Sequence, residues 1–226
     1  MSDMRIKPVF AWYQGSESPV FERLKSRQVN PLFLGWTKML PEGTTAKEMW
    51  AACPEGSWLL EYARECGYHH DEHGRAKLVE AACACSKLAV RHVFKDDLAA
   101  HKMIDSLDRL CQHLTHYNWE SGQKEKTEEI EKAIKQQVDA LRELLSDSQS
   151  DGKHAIDALV AAAETAKAAL EAIEVTGMGN VNVIGWKTWF LSWQAVVAAE
   201  KVGSMKQECA NVIRNIIAYT SLAPLT

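Results

Sequence analysis

Four of the six prolines lie in the first 41 residues, and from Thr44 onward the chain carries almost continuous helix signals. Proline inside a helix removes a backbone donor and clashes with the preceding turn. A stretch poor in prolines and patterned near 3.6 residues is therefore restricted to helices packed on helices. The sequence predicts an all-α fold, a multi-helix antiparallel bundle of about seven or eight helices over residues 44–226. Residues 1–43 read differently. Aromatic runs such as PVFAWYQ and PLFLGW alternate with breakers, which predicts an irregular, partly extended segment with a brief helix in SPVFERLKSR.

Caps and stops place the helix boundaries. Thr45 and Glu48 have capping-box spacing at the start of TAKEMWAAC, and Pro54 with Gly56 closes that short helix. Ser57 is the expected cap of SWLLEYAREC, where Trp58, Leu59, Tyr62, Ala63 and Cys66 recur at helical spacing, and Gly67 is the expected stop. In RAKLVEAACACSKLAVRHV, Leu78, Ala82, Cys85, Ala89 and Val93 share a face, with Val79, Cys83 and Val90 beside it. Asp96 or Asp97 caps the next helix, striped by Ala99, Met103, Leu107, Leu110, Leu114 and Tyr117. A narrow seam of Ile130, Ile134, Val138, Leu141 and Leu145 in charged surroundings predicts a helix that protrudes or packs at an edge. Residues 146–152, SDSQSDG, form the expected linker. Beyond it come an Ala-rich helix from about Lys153 to Val175, a Gly-rich loop TGMGNVNVIG, and a helix carrying Trp186, Trp189, Phe190, Trp193, Val196 and Val197. The last helix presents Met205, Cys209, Val212, Ile213, Ile216 and Ile217.

With 226 residues, 46% of them hydrophobic, the chain can bury a sizeable core. A net charge of -4 leaves no overall basic footprint for nucleic acid or anionic lipid. The N-terminus lacks the apolar run of a secretory signal, and no apolar stretch approaches the roughly 20 residues of a membrane span. The expected location is the cytoplasm, where the six cysteines, set mostly in apolar helical patterns, would stay reduced.

The stretch from Glu65 to Arg75, ECGYHHDEHGR, looks most like chemistry. His69 and His73 have the i, i+4 spacing with which two imidazoles share a metal on a helical face, and Cys66, Asp71 and Glu72 lie nearby. The two histidines fall between the breakers Gly67 and Gly74, however, and no further ligand has a standard spacing. The residues favour a solvated loop between two core helices, Cys66 inward and the histidines outward. No metal, cofactor or catalytic residue is assigned. As a loop rich in groups that titrate near neutrality, His69, His70, Asp71, Glu72 and His73 are better placed for partner contact.

The other candidates yield to simpler readings. Cys83 and Cys85, two apart on a helix, point about 200° from one another and read as core thiols. His113, His116 and Glu120 could face one ligand, but ordinary exposed residues opposite the Leu110 and Leu114 stripe explain them. His92 and His101 are isolated. Gly177, Gly179, Asn180 and Gly185 lack the offsets and preceding strand of a phosphate loop and read as a flexible connection. Trp186, Trp189 and Trp193 could stack on nucleotides, but beside Phe190 they describe a core-facing helix. No nucleophile elbow or carboxylate pair for acid–base work is present.

The stretch from Thr44 to Val93 resembles a family of immunity proteins of bacteria and phages. The resemblance rests on a short helix ending W-x-A-C, a P-x-G-x-W-L-L turn and a helix with A-A-C-x-C-A, matched here up to the second cysteine. Those positions are Trp50, Ala52, Cys53, Gly56, Trp58, Leu59, Leu60, Ala81, Ala82, Cys83 and Cys85. The connection between Gly67 and Lys77 is longer than usual for such proteins, and residues 1–43 fall outside the match. The resemblance implies an all-helical protein without cofactor that neutralises a toxin. The expectation is a non-enzymatic binding protein directed at a protein target, a toxin or defence nuclease; mild acidity suits a basic, nuclease-like one. The alternative is a phage or mobile-element inhibitor of a host defence complex, docking through the charged helix from Lys124 to Asp147 or the N-terminal segment. A metal-dependent enzyme or sensor built on His69, His73 and Cys66 is the third.

Overall fold

A computed structural model describes residues 30–37, 39–40, 46–70, 72–95, 98–115, six positions between 128 and 139, 150–174 and 181–222. The architecture is all-α, and the described residues contain no strand. The helices are α1 (Pro31–Thr37), α2 (Ala46–Ala52), α3 (Gly56–Glu65), α4 (Glu72–Phe94), α5 (Leu98–Thr115), α6 (Ser150–Glu174), α7 (Val181–Lys201) and α8 (Lys206–Ile216), followed by a 3-10 turn at Tyr219–Leu222.

The centre is a three-helix stack in which α6 packs along α7 and both pack along α4. Small residues permit it. Ala81, Ala82 and Ala89 of α4, Ala155, Ala158, Ala162 and Ala166 of α6, and Ala195 and Ala199 of α7 are all fully buried. With so little side chain between them the backbones approach closely: Ser86 Oγ of α4 lies 2.8 Å from the carbonyl of Ala82 in its own helix and 2.8 Å from that of Ala158 in α6. Leu78, Met103, Leu107, Leu159 and Val196 fill the remaining space, each contributing about 1.5–3 kcal/mol by leaving water. On α4 the predicted stripe is buried from Leu78 to Ala89, with Val93 partly so. Helix α5 lies on α4 and touches α6, burying Ala100, Met103, Ile104 and Leu107.

Several boundaries differ from the sequence expectation. PLFLGW, expected within irregular or extended chain, is helix α1: Asn30 Oδ1 accepts the Leu32 N–H at 2.9 Å and Pro31 takes the first helical position, where its missing donor costs nothing. Phe33 and Trp36 then pack on Trp58, with ring centroids 5.8 and 5.7 Å away. The linker's last three residues, Ser150 to Gly152, are already helical, as is the end of the Gly-rich loop from Val181 to Gly185. Thr45, Asp96, Asp97 and the seam from Ile130 to Leu145 lie outside the described residues. Glu128, Glu129, Lys132, Lys135, Gln136 and Asp139 are helical and exposed.

Ser57 does not cap α3. The helix starts one residue earlier, at Gly56; the cap position is Glu55, which makes no side-chain cap bond. The turn from Cys53 to Glu55 is instead held from α8. Arg214 Nη1 donates to the Cys53 carbonyl at 2.8 Å and the Trp50 carbonyl at 3.3 Å, taking up acceptors that the end of α2 leaves open. Lys206 pairs with Glu55 at 2.6 Å, a more exposed contact. Removing the guanidinium leaves part-buried carbonyls without a donor, whereas the lysine pair is replaceable by water. Arg214→Ala is expected to lower unfolding free energy by about 1–2 kcal/mol and Lys206→Ala by less than about 0.5 kcal/mol, read by urea denaturation.

Candidate interaction site

Helix α3 ends as the sequence predicts. Gly67 has φ +76°, its N–H donates to the Arg64 carbonyl at 2.8 Å, and the Tyr68 N–H reaches back to the Ala63 carbonyl at 3.0 Å. This paired closure needs a left-handed residue, which glycine supplies without strain. The chain then turns inward. Tyr68 and His69 are buried, 6% and 4% exposed. His69, expected at the surface, is therefore inside, and its ring meets that of His70 at a centroid distance of 4.0 Å. His70 is exposed, Asp71 lies outside the described residues, and Glu72 and His73 are exposed on the first turn of α4. Gly74, expected as a breaker, is a buried residue within that helix, and Arg75 Nη1 ties the turn down by donating to the His70 carbonyl at 2.8 Å. Cys66 is partly buried against the core.

What buries His69 is α7. A Cβ placed on Gly185 would lie 2.4 Å from the His69 carbonyl oxygen, so this glycine, expected in a flexible connection, is the point where α7 crosses the loop. Helix α7 thereby comes down on the end of α3. Trp189, 5% exposed, donates its indole N–H to the Leu60 carbonyl at 2.9 Å. Arg64 lies over the Trp189 ring at 4.5 Å and the Trp186 ring at 5.6 Å while its guanidinium pairs with Glu65. Beside it, burial pushes the Glu61 carboxyl up, opposed by the Asn30 N–H and the Arg64 charge. Glu61 Oε1 accepts that N–H at 2.9 Å, which anchors the start of α1 to this cluster.

The tryptophan stripe is only half core. Trp189 is inside and Trp193 partly so, but Trp186 and Phe190 are 45% and 42% exposed. Trp186 meets Trp189 edge-on at 5.1 Å, and Phe190 stacks on Trp193 at 6.3 Å with planes 19° apart. Two large aromatic side chains thus stand at the surface on a fixed base. They are next to the loop: Trp186 follows the residue that touches His69, and exposed His70 follows His69.

His69 points into the fold and His73 to solvent, so the pair does not converge, and among the described residues no group of three His, Cys, Asp or Glu is set to hold a metal ion. Cys83 and Cys85 are core residues as predicted; the Cys85 thiol meets the Cys209 carbonyl at 3.9 Å. His92 and His101 are exposed. His116, Glu120, Gly177, Gly179 and Asn180 lie outside the described residues, as does the side chain of His113. Sequence reasoning missed the exposure of Trp186 and Phe190 and the Arg64 contact. The available signal was Gly185, since a glycine within a helical apolar pattern marks a close approach of backbone.

Two measurements follow from this geometry. Gly185→Ala forces α7 away from a backbone oxygen that cannot yield, and is expected to cost about 1–3 kcal/mol in urea unfolding. Under native conditions Cys66 should be alkylated well before buried Cys53, Cys83, Cys85 and Cys209, because burial also pushes the Cys53 thiol up to about 12; mass spectrometry of the labelled protein reads the order. In comparison with known proteins, the chain matches no family model, no curated protein and no solved structure.

Proposed function

We propose that the chain is a non-enzymatic cytoplasmic binding protein that neutralises a partner protein, and that the partner docks on Trp186, Phe190 and the exposed loop residues His70, Glu72 and His73. The observation that carries this reading is the pair of half-exposed aromatics held on buried Trp189 and Arg64 and partly buried Trp193. Rigid aromatic side chains lose little conformational freedom on binding, and such anchors dominate interface energetics. None of the described helices is long and apolar enough to cross a membrane. The resemblance of residues 44–93 to immunity proteins supplies the kind of partner: a toxin. The alternative, an inhibitor of a host defence complex, would use the acidic, charged helix from Lys124 to Asp147 or the N-terminal segment.

Co-expression with a toxin encoded beside the gene is expected to restore growth, and the purified pair to form a stable complex. Trp186→Ala and Phe190→Ala should each weaken that complex at least tenfold, which is about 1.4 kcal/mol, with the circular dichroism of the free protein unchanged. Failure of rescue with no complex would overturn the function; a complex indifferent to both substitutions would overturn the surface.

A further inference from the structure

The first turn of α3 depends on a buried acid from the far end of α7. Glu200 is 5% exposed, and its Oε1 accepts the Ser57 N–H at 3.1 Å. The local cap residue, Glu55, is engaged with Lys206 instead, so the open N–H groups of α3 turn to Glu200. Space around this contact is closed: a Cβ on Gly56 would lie 2.7 Å from Ile213 Cδ1 and 3.0 Å from the Cys209 carbonyl carbon. The charged and titratable groups facing the carboxyl are Glu55 and Cys53 of the turn, Lys206 of α8 and Cys85 of α4. Arg214, near Cys53, is committed to the carbonyls at the end of α2. Among the described residues no cation forms an ion pair with Glu200.

We propose that this corner is a pH-responsive latch: the α2–α3 turn is docked on α7 and α8 while Glu200 carries a proton, and is released as Glu200 ionises.

The physical cause is the cost of keeping a charged carboxylate out of water without a direct ion pair to offset it, Lys206 being paired with Glu55. Burial pushes Glu200 up to about 7, against the Ser57 hydroxyl and the Ser57 and Gly56 N–H groups, which favour the ionised form. An acid raised in the docked state adds stability that is fully present below its ordinary value of 4.5 and is lost as pH rises through about 7. If release returns Glu200 to water, the docked-to-open ratio falls on the order of thirtyfold between about pH 5.5 and about pH 8.5. Burial holds the Cys53 thiol at about 12, contact with Cys209 and then burial hold Cys85 well above the usual thiol value, and Lys206 is raised by Glu55, so none of these three changes charge in that window.

Hydrogen–deuterium exchange of the full chain, followed by mass spectrometry of peptides covering residues 54–60 and corrected for intrinsic rates, tests the latch. In the wild type the opening equilibrium of this segment should rise on the order of thirtyfold between about pH 5.5 and about pH 8.5, while α6 stays protected. Glu200→Gln should remove that dependence. A wild-type change below about threefold, an equal loss of protection in α6, or a Glu200→Gln protein that keeps the dependence would each overturn the proposal. If Glu200→Gln does not fold, the contrast between residues 54–60 and α6 in the wild type decides.

Discussion

The indole of Trp189 joins the part of the fold that is built from alanines to the part that is not. Its N–H is bonded to the Leu60 carbonyl, and its face carries the Arg64 guanidinium, so one side chain of α7 fixes both the position and the rotation of α3. Everything else around α3 follows from that placement. Trp58 is turned toward Phe33 and Trp36, Glu61 faces the start of α1, and the turn after Cys66 is driven under α7, where Gly185 receives it. The contact is short-ranged and directional, which distinguishes it from the dispersion contacts between α4, α6 and α7.

Much of the helical architecture was legible because it is written in near-neighbour spacing. The α4 face from Leu78 to Ala89 and the stop at Gly67 depend on residues within a few positions of one another, and periodicity or cap chemistry reads them directly. Asn30-Pro31 was equally local and equally readable, yet the density of breakers around it outweighed a good cap and first-turn pair. Long-range decisions were not legible. Ser57 has the chemistry of a cap, but an acid 143 residues away answers the backbone donor that it would have capped around. His69 looks polar and loop-borne, and only the passage of α7 over its carbonyl shows it to be interior.

The candidate surface shows the same division. The loop histidines drew attention through composition, whereas the aromatics beside them were hidden by a pattern that fits a core helix equally well. Helical spacing states which residues share a face and says nothing about how wide the neighbouring helices are. On α7 the cover stops between Trp189 and Phe190, adjacent residues that are 5% and 42% exposed. The residues from Trp50 to Leu60 mostly serve the turn between α2 and α3: Trp50, Cys53, Trp58, Leu59 and Leu60 are buried, and the Cys53 thiol meets the Glu55 carbonyl at 3.4 Å.

The alanine-lined contact between α4 and α6 has an evolutionary corollary. A core of large side chains can exchange bulk between neighbours, one growing as another shrinks, so its sequence drifts by compensated pairs. Fully buried alanines on both packed helices, with Ser86 Oγ 2.8 Å from a carbonyl on each helix, have nothing to give back, and an added methyl has little room between the two backbones. Sequence change in this protein is thereby steered away from the stack and onto exposed positions such as Asp157, Glu164 and Lys167. The interior acts as a fixed ruler, and the outer surface is where substitution costs least.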